Sequence, residues 1–524
     1  MKGIKLFLFN GAILALATVI LRGVSVSFNA FVTKTLGEEA VGLFTLVMSV
    51  YTLAITFACS AVNLASVRLI SGTMAKMEEY GADASEIKKE LRRELWGCVK
   101  YSLFFSLLTS TVLFILSPLI GGVVLGDERT ILSIRVLSLS LPAIAVASAV
   151  SGYFTAVRKA YKNAVISAIE QLVKIVLILI GLVVIAPHGI EYACVAVVGG
   201  GAIGEGCSLI SSIIFYCTDK LKVNNINGHR RIYKEKRSAL SRAAEIAFPV
   251  ALGSYVRQSL VCAEHIAIPS SLKKSGADSA SALASYGTVH GMVFPLIFYP
   301  ASVMNAFSSL LVPEITACVA TDNMEKARSI AQKVIKVCFI FSFAVSGVFL
   351  TFANEFGLSL YSSNEAGRYI AMIAPLIPVM YLDTSVDFIL KGLGEQVYTM
   401  GVNILDATLS LSLVLILVPR MGITGYIVTV YLVELINCAL SLARLIKVTR
   451  LTLKPGWIIR PFIAVYLSAA AVKFISSDIR LSFITTHTAF LAFFVSVCLL
   501  LFATKAVTKS DSDYLKSIVN SAKK

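Results

Sequence analysis

Residues 97–120 read GCVKYSLFFSLLTSTVLFILSPLI and contain a single charged side chain, Lys100. A helix needs roughly 20 apolar residues to cross a bilayer, so this stretch predicts a membrane-spanning helix. The whole chain is biased in the same way, because 57% of its 524 residues are hydrophobic and 15% are charged. A soluble domain has about 45–50% apolar and about 25% charged residues. The composition therefore predicts a polytopic membrane protein.

Further apolar runs resemble residues 97–120 and are separated by charged or turn-rich segments. Together they predict an all-α polytopic membrane protein with about 14 transmembrane helices. We interpret the first run as a retained span, because it continues without a small-residue cleavage site; a signal peptide is the alternative. The predicted spans are 6–33, 40–70, 97–120, 131–156, 164–186, 192–217, 245–269, 284–312, 334–354, 367–390, 398–418, 423–446, 457–474 and 483–504.

The net charge of +16 indicates the orientation of these helices rather than a nucleic acid partner. With the N-terminus placed in the cytoplasm, 32 of the 47 Lys and Arg residues fall in cytoplasmic segments and 8 fall in outside loops. Cytoplasmic loops of membrane proteins carry such an excess of basic residues. The count therefore predicts a multi-pass protein with both termini in the cytoplasm. No RNA-binding aromatic motif accompanies the charge, so no nucleic acid is expected.

The motifs of ATPases and metalloenzymes are absent from the sequence. It contains no G-x-x-x-x-G-K-[ST] phosphate-binding loop and no H-E-x-x-H motif, and no two of its 10 cysteines have C-x-x-C spacing. These absences argue against an ATPase, a metal site and a disulfide framework. We expect no catalytic residue, no metal and no cofactor. A secondary transporter is favoured over an enzyme, with an ion gradient, the membrane potential or product consumption as its energy source.

Two spans indicate an internal repeat. Arg22 and Asn29 lie seven residues apart in the first span, and Arg257 and Glu264 lie seven residues apart in the seventh. Six-helix units repeat with the same topology, so we expect two pseudo-symmetric lobes. The predicted segments are 1–217 for the N-terminal lobe of helices 1–6, 218–244 for a basic cytoplasmic linker, 245–450 for the C-terminal lobe of helices 7–12, and 451–524 for helices 13–14 and a cytoplasmic tail.

Charged residues inside the predicted spans are the candidate substrate-binding residues, since a charge near the bilayer centre costs roughly 2.5–3.5 kcal/mol. A guanidinium presents a fork of donors that matches phosphate oxygens, so Arg22 and Arg257 could clamp a diphosphate. Arg68 would guide an anionic headgroup inward or snorkel to the surface. Asn29 accompanies Arg22 on helix 1. Glu264 would balance the arginines or titrate during transport, and an internal Arg257–Glu264 ion pair is the structural alternative.

Three other features have structural interpretations. Residues 85–96 have the apolar spacing of a helix and are predicted to lie along the membrane surface. The glycines of 199–206 are predicted to permit close helix packing. Asp383 and Asp387 are assigned to a hydrated helix end. Asp406 and Glu434 also lie in later spans, and they have no assigned partner.

Four motifs resemble the polysaccharide flippases of the multidrug/oligosaccharidyl-lipid/polysaccharide (MOP) exporter superfamily. Residues 35–44, TLGEEAVGLF, are similar to the LG-x-x-x-x-G-L-F signature. Residues 311–316, LVPEIT, are similar to the end of the family's eighth helix. LKGLGEQ at 390–396 is followed by VPRMGITG at 418–425, as in the family. The order of these motifs is similar to the branch of stage V sporulation protein B, to which the lipid II flippase is related.

This resemblance implies a V-shaped fold like that of MATE transporters, with two appended C-terminal helices. It also implies the flipping of undecaprenyl-diphosphate-linked sugars from the cytoplasmic to the outer leaflet of a bacterial plasma membrane. Relatives carry basic residues in a central cavity, and Arg22, Arg68 and Arg257 are the positions that fit. The lipid II flippase has more arginines in helix 1 than the single arginine of this chain.

The functional hypothesis is a flippase for a lipid-linked oligosaccharide, a peptidoglycan precursor similar to lipid II, which works by alternating access. Its expected partners are the polyprenyl-diphosphate-linked sugar, membrane lipids, a coupling cation and cell-wall synthesis proteins. One alternative is a cation-coupled multidrug exporter of the same fold, which would favour acidic residues as its primary site. The other is a non-transporting membrane scaffold for envelope or spore assembly, which would use the basic cytoplasmic loops.

Overall fold

A computed structural model shows a chain of long helices joined by short turns. It describes residues 20–21, 23–79, 84–159, 161–219, 238–477, 491–497, 499–501 and 504. Every regular element within these ranges is a helix, and no strand occurs among them. The predicted all-α class is therefore confirmed.

The helices of the first half are α1 (20–21 and 23–36), α2 (Glu38–Cys59), α3 (Val62–Glu79), α4 (Ala84–Leu119), α5 (Ile131–Ala156), α6 (Tyr161–Val184), α7 (Ile190–Cys217) and α8 (Ala239–Lys274). Those of the second half are α9 (Ser279–Gly287), α10 (Phe294–Ala320), α11 (Met324–Thr351), α12 (Ala353–Tyr361), α13 (Asn364–Ile373), α14 (Ile377–Gly392), α15 (Gln396–Met421), α16 (Ile423–Thr449), α17 (Gly456–Ser477) and α18 (491–497 and 499–501). Two π-helical turns, Ile120–Val124 and Thr288–Val293, extend α4 and join α9 to α10.

The described helices include 11 segments that are long and apolar enough to cross a membrane. Two shorter apolar helices, Gly456–Val472 and Leu491–Leu501, follow them. The prediction of a multi-pass membrane protein is confirmed. The number of fourteen spans stays a prediction.

The second predicted span is interrupted between α2 and α3. Ser60 and Ala61 have φ angles of 43° and 56°, in the left-handed region that residues other than glycine rarely adopt. Surrounding side chains hold this break in place. The Ser60 hydroxyl donates to the Phe57 carbonyl at 2.6 Å and is hydrogen bonded to the Tyr255 hydroxyl, while Tyr101 donates to the Ser60 carbonyl at 3.4 Å.

The helix α4 begins at Ala84, so residues 84–96 are continuous with the membrane span that follows them. Ile87, Leu91 and Leu95 are 0%, 1% and 4% exposed. They are part of a core that also contains side chains of α3, α5 and α8. The prediction that 85–96 lies along the membrane surface is wrong, because its apolar face packs against the protein instead of lipid.

The start of α8 packs against this extension of α4. Glu94 is fully buried and forms an ion pair with Arg242 in the first turn of α8. Gly97 allows the close approach, since a Cβ at this position would lie 2.5 Å from the Ala239 Cβ. Any larger residue at position 97 would therefore separate the two helices.

A buried ion-pair network holds the residues that follow α7. The Asp219 Oδ1 accepts hydrogen bonds from Lys159 Nζ and Lys162 Nζ at 2.6 Å each, and Tyr153 donates to Oδ2 at 3.3 Å. Burial alone raises the pKa of Asp219, but the hydrogen bonds from the two lysines outweigh it and hold that pKa below its usual value of 3.8. Asp219 therefore stays a carboxylate near neutral pH.

Glycines bring α6 and α7 close together. A Cβ at Gly200 would lie 2.6 Å from Ile178 Cγ1, and one at Gly181 would lie 3.0 Å from Ala196 Cβ. Small residues at such contacts allow backbones in a membrane to approach. The prediction that the glycines of 199–206 serve helix packing is confirmed for Gly200 and Gly204, whereas a Cβ at Gly199 or Gly206 would meet open space.

The chain divides into two compact units. Unit 1 consists of Met1–Glu38 and Ile268–Lys524, and unit 2 consists of Glu39–Ala267. The predicted lobes follow the proposed repeat instead, and they stay a prediction. Both described ends of the predicted linker, 218–219 and 238–244, belong to unit 2.

Candidate substrate-binding site

The structure describes four of the five candidate residues, and Arg22 lies outside the described residues. Arg68 on α3 and Arg257 on α8 both belong to unit 2, and both side chains are exposed. Arg257 lies about 26 Å from either end of its helix at 1.5 Å per residue. In the described part of the chain neither arginine forms an ion pair. Both guanidinium groups are therefore available to an anion.

Glu264 follows Arg257 on α8 by seven residues, or two turns, and its side chain is half-buried. It is engaged in an interaction of its own. Arg257 is not its partner, because Arg257 forms no ion pair among the described residues. The structural alternative of an internal Arg257–Glu264 pair is therefore not formed. A role for Glu264 in binding stays a prediction.

Asn29 on α1 has a packing contact within unit 1. Its Nδ2 donates a hydrogen bond to the Gly291 carbonyl at 3.2 Å. Gly291 lies in the π-helical turn Thr288–Val293, where the regular hydrogen-bond ladder changes. The neighbouring Met292 carbonyl accepts from the Tyr361 hydroxyl at 3.0 Å. Side chains thus satisfy the Gly291 and Met292 carbonyls of the turn. The substrate-binding role of Asn29 stays a prediction.

Unit 1 contains an apolar cavity of about 1020 Å³. Its walls come from α1, α10, α11, α12 and α18, with Val24, Ala344 and Phe493 among the lining residues. The lining is hydrocarbon apart from the hydroxyls of Ser27 and Tyr299. A cavity of this size and character suits a hydrocarbon chain rather than a sugar or a phosphate.

Three membrane helices of unit 1 bring acidic side chains together. Glu434 on α16, Asp383 on α14 and Asp406 on α15 lie close enough for their charges to interact. The Asn437 Nδ2 donates to Asp383 Oδ2 at 3.4 Å. This group, called here the acidic cluster, consists of Asp383, Asp406 and Glu434. The assignment of Asp383 to a hydrated helix end is wrong, because its side chain is only 9% exposed.

Comparisons with known proteins agree with this architecture. Residues 7–248 match the family model described as polysaccharide biosynthesis protein, and residues 274–416 match the MatE model. The chain is 24% identical over 478 residues to stage V sporulation protein B of Bacillus subtilis (strain 168). The aligned region covers 90% of this chain and 89% of that protein.

Two solved structures share the fold. The lipid II flippase MurJ in an inward closed conformation superposes with a TM-score of 0.67 at 13% identity, over 94% of this chain and 99% of that one. An inward-facing multidrug resistance MATE family transporter of the MOP superfamily gives a TM-score of 0.62 at 14% identity, over 82% of this chain and 99% of that one.

The chain resembles the polysaccharide biosynthesis and MatE families over successive parts of its length. Its fold is similar to that of a MATE transporter of the MOP superfamily and to that of MurJ. The sporulation relative and the polysaccharide biosynthesis model together indicate which branch of these proteins the chain resembles. The resemblance drawn from the four sequence motifs is thereby confirmed.

Proposed function

We propose that this protein is a flippase, not an enzyme, and that it moves an undecaprenyl-diphosphate-linked oligosaccharide similar to lipid II from the cytoplasmic to the outer leaflet by alternating access. The observation that carries the proposal is a pair of exposed arginines on spanning helices of unit 2, Arg68 and Arg257, which form no ion pair with any described residue. A buried or lipid-facing cation without a carboxylate would be costly. An anionic substrate offsets this cost.

In this proposal the diphosphate binds to the guanidinium groups of Arg257 and Arg22. Arg68 lies eleven residues from the end of α3, or about 16 Å at 1.5 Å per residue, and passes the headgroup inward. The bidentate fit of guanidinium to phosphate oxygens favours arginine over lysine at such positions. Asn29 and Glu264 flank these arginines in sequence and complete the proposed site.

The polyprenyl tail of the substrate would enter the apolar cavity of unit 1. The cavity is lined by side chains such as Val24, Ala344 and Phe493 and offers few polar groups. A hydrocarbon chain fits such a lining because it brings no polar group that needs a partner. The tail would thus select for long polyprenyl lipids, while the arginines would select for the diphosphate.

The acidic cluster would couple transport to a cation, and we propose that this cation is a proton. No three His, Cys, Asp or Glu side chains among the described residues are arranged to hold a metal ion. Like charges on neighbouring helices disfavour each other, and a proton on one of the carboxyl groups would relieve that repulsion. The membrane potential adds about 2.3 kcal/mol per charge for each 100 mV. Both termini would lie in the cytoplasm of a bacterial cell.

The arginine site can be tested in proteoliposomes with a headgroup translocation assay on purified protein. Arg257→Ala and Arg22→Ala are expected to reduce translocation strongly. Arg135→Ala is the matched control, since the Arg135 Nε already donates to Ser117 Oγ at 3.0 Å within unit 2. Normal translocation by both site variants would exclude a diphosphate clamp.

A cation-coupled multidrug exporter remains the second candidate, because the acidic cluster offers carboxylates to a cationic substrate. Two arginines without ion-pair partners in unit 2 weigh against it. Expression in a drug-sensitive host separates the two functions. Drug resistance that is abolished by Glu264→Gln or Glu434→Gln would favour the exporter over the flippase.

A further inference from the structure

The N-terminal extension of α4 carries basic side chains that the proposed transport does not use. Lys88, Lys89, Arg92 and Arg93 are exposed on the sides of the helix that face away from the buried apolar residues. These four residues are called here the basic ridge. The proposed orientation places the ridge on the cytoplasmic side of unit 2.

The local physics of α4 opposes this arrangement. Lys88 with Arg92 and Lys89 with Arg93 are like charges at i, i+4, which destabilise a helix. The single compensating contact in the described structure is an Arg93–Glu90 ion pair of 3.2 Å. Basic loops are sufficient to orient a protein in the membrane. Orientation therefore does not explain two rows of like charges on one helix.

The protein holds the ridge in a fixed position. The opposite face of the extension is buried in the core of unit 2, and the Glu94–Arg242 ion pair ties it to α8. Arg92 lies close enough to Tyr216 at the end of α7 for its charge to act on that side chain. A surface that is already ordered loses little entropy when it binds a partner.

The distance of the basic ridge from the membrane interface favours a protein partner over lipid. Trp96 is 50% exposed at the base of the extension, as expected for a residue at the membrane interface. Lys88 lies eight residues further along α4, about 12 Å at 1.5 Å per residue. The headgroup layer is only about 5–8 Å thick on each side. With α4 along the bilayer normal, the ammonium groups of Lys88 and Lys89 would extend beyond the headgroups, because side chains lean toward the helix N-terminus.

We propose that the basic ridge is a docking surface for an acidic helix of a partner protein at the cytoplasmic face. The carboxylates of this acidic helix would recur one turn apart and pair with the Lys88–Arg92 row and the Lys89–Arg93 row. This binding function is additional to transport and does not depend on the proposed substrate.

The test uses the full-length protein in nanodiscs of phosphatidylcholine. The probe is a fluorescent synthetic helix with glutamates in two rows at i, i+4, and a peptide of the same composition with scattered glutamates is its control. The variant K88Q/K89Q/R92Q/R93Q is expected to bind the probe about tenfold more weakly, since each exposed ion pair contributes a modest free energy. The control K447Q/K454Q removes exposed lysines of unit 1 and is expected to bind normally.

A charge-reversed variant keeps the test decisive if neutralisation impairs folding. K88E/R92E is expected to lose the acidic probe and to bind a matching peptide with lysines in rows. Equal binding of the acidic probe by the wild type and the neutralised variant would overturn the proposal. So would displacement of the probe by soluble short-chain phosphatidylglycerol but not by short-chain phosphatidylcholine, because the ridge would then be a lipid site. Translocation by the neutralised variant is expected at the wild-type rate.

Discussion

Removal of the Asp219 carboxylate is the sharpest test of the fold at the end of α7 in unit 2. In Asp219→Ala, Lys159 and Lys162 lose their common partner. The side chains of Asp219, Lys162 and Lys159 are 3%, 9% and 24% exposed, so at least one ammonium group is left in a site that water hardly reaches. Breaking a buried ion pair from one side typically costs about 3–5 kcal/mol, because the other charge remains uncompensated.

The expected loss of unfolding free energy is therefore about 3 kcal/mol or more at neutral pH. The double variant Asp219→Asn/Lys162→Met is the matched control. It removes the negative charge of Asp219 together with the positive charge of Lys162. We expect it to recover much of the lost stability, because the apolar methionine side chain is similar in size to Lys162 and can pack in its position. A loss caused by altered packing alone would not be recovered in this way.

The effect of Asp219 has a defined pH dependence. Its folded-state pKa lies below the value of 3.8 that applies to the unfolded chain. The carboxylate therefore contributes stability at all pH values above about 4, and this contribution is lost as the pH falls through the folded-state pKa. The stability difference between the wild type and Asp219→Ala should be constant between about pH 5 and 8 and should shrink below about pH 4.

The measurement is a denaturant titration in detergent, followed with a thiol-reactive dye that detects buried cysteines such as Cys98 when they become exposed. A wild-type midpoint in Asp219→Ala at pH 7 would refute the reasoning. So would a stability difference that grows on acidification, because it would mean that Asp219 is stabilised in its protonated form.

Three further predictions test other parts of the structure. Gly200→Ala should destabilise the protein by about 1–3 kcal/mol in the same titration through overpacking against α6, whereas Gly206→Ala, with open space around its Cβ, should be neutral. Ala344→Phe fills the apolar cavity and should weaken binding of long polyprenyl lipids but not of short-chain analogues, while Ala470→Phe on the exposed side of α17 should affect neither. Glu434→Gln should abolish stimulation of translocation by a pH gradient without changing substrate binding; unchanged stimulation would contradict proton coupling by the acidic cluster.

The spans could be predicted because apolar length is a local property of the sequence. The extension of α4 could not, because Ile87, Leu91 and Leu95 have the same spacing whether they face lipid or protein. The break at Ser60 and Ala61 was also missed. Neither residue is a glycine or a proline, and the contacts that hold their backbone come from residues distant in sequence.

The candidate site was accessible to sequence reasoning only in part. Arg257 is recognisable in the sequence as a charge in an apolar run. Only the structure shows that it has no ion-pair partner among the described residues. The acidic cluster joins Asp383, Asp406 and Glu434 from three separate helices. Each appeared as an isolated carboxyl in the sequence, and the only signal was that all three lie in consecutive predicted spans.

The central claim is that unpaired arginines in the membrane bind the substrate's diphosphate. The most direct test is binding of radiolabelled undecaprenyl-diphosphate sugar to the purified protein, compared with the corresponding monophosphate lipid. We expect the wild type to prefer the diphosphate, Arg257→Ala to lose this preference and Arg135→Ala to retain it. Equal binding of both lipids by the wild type, or an undiminished preference in Arg257→Ala, would show that Arg257 does not recognise the diphosphate.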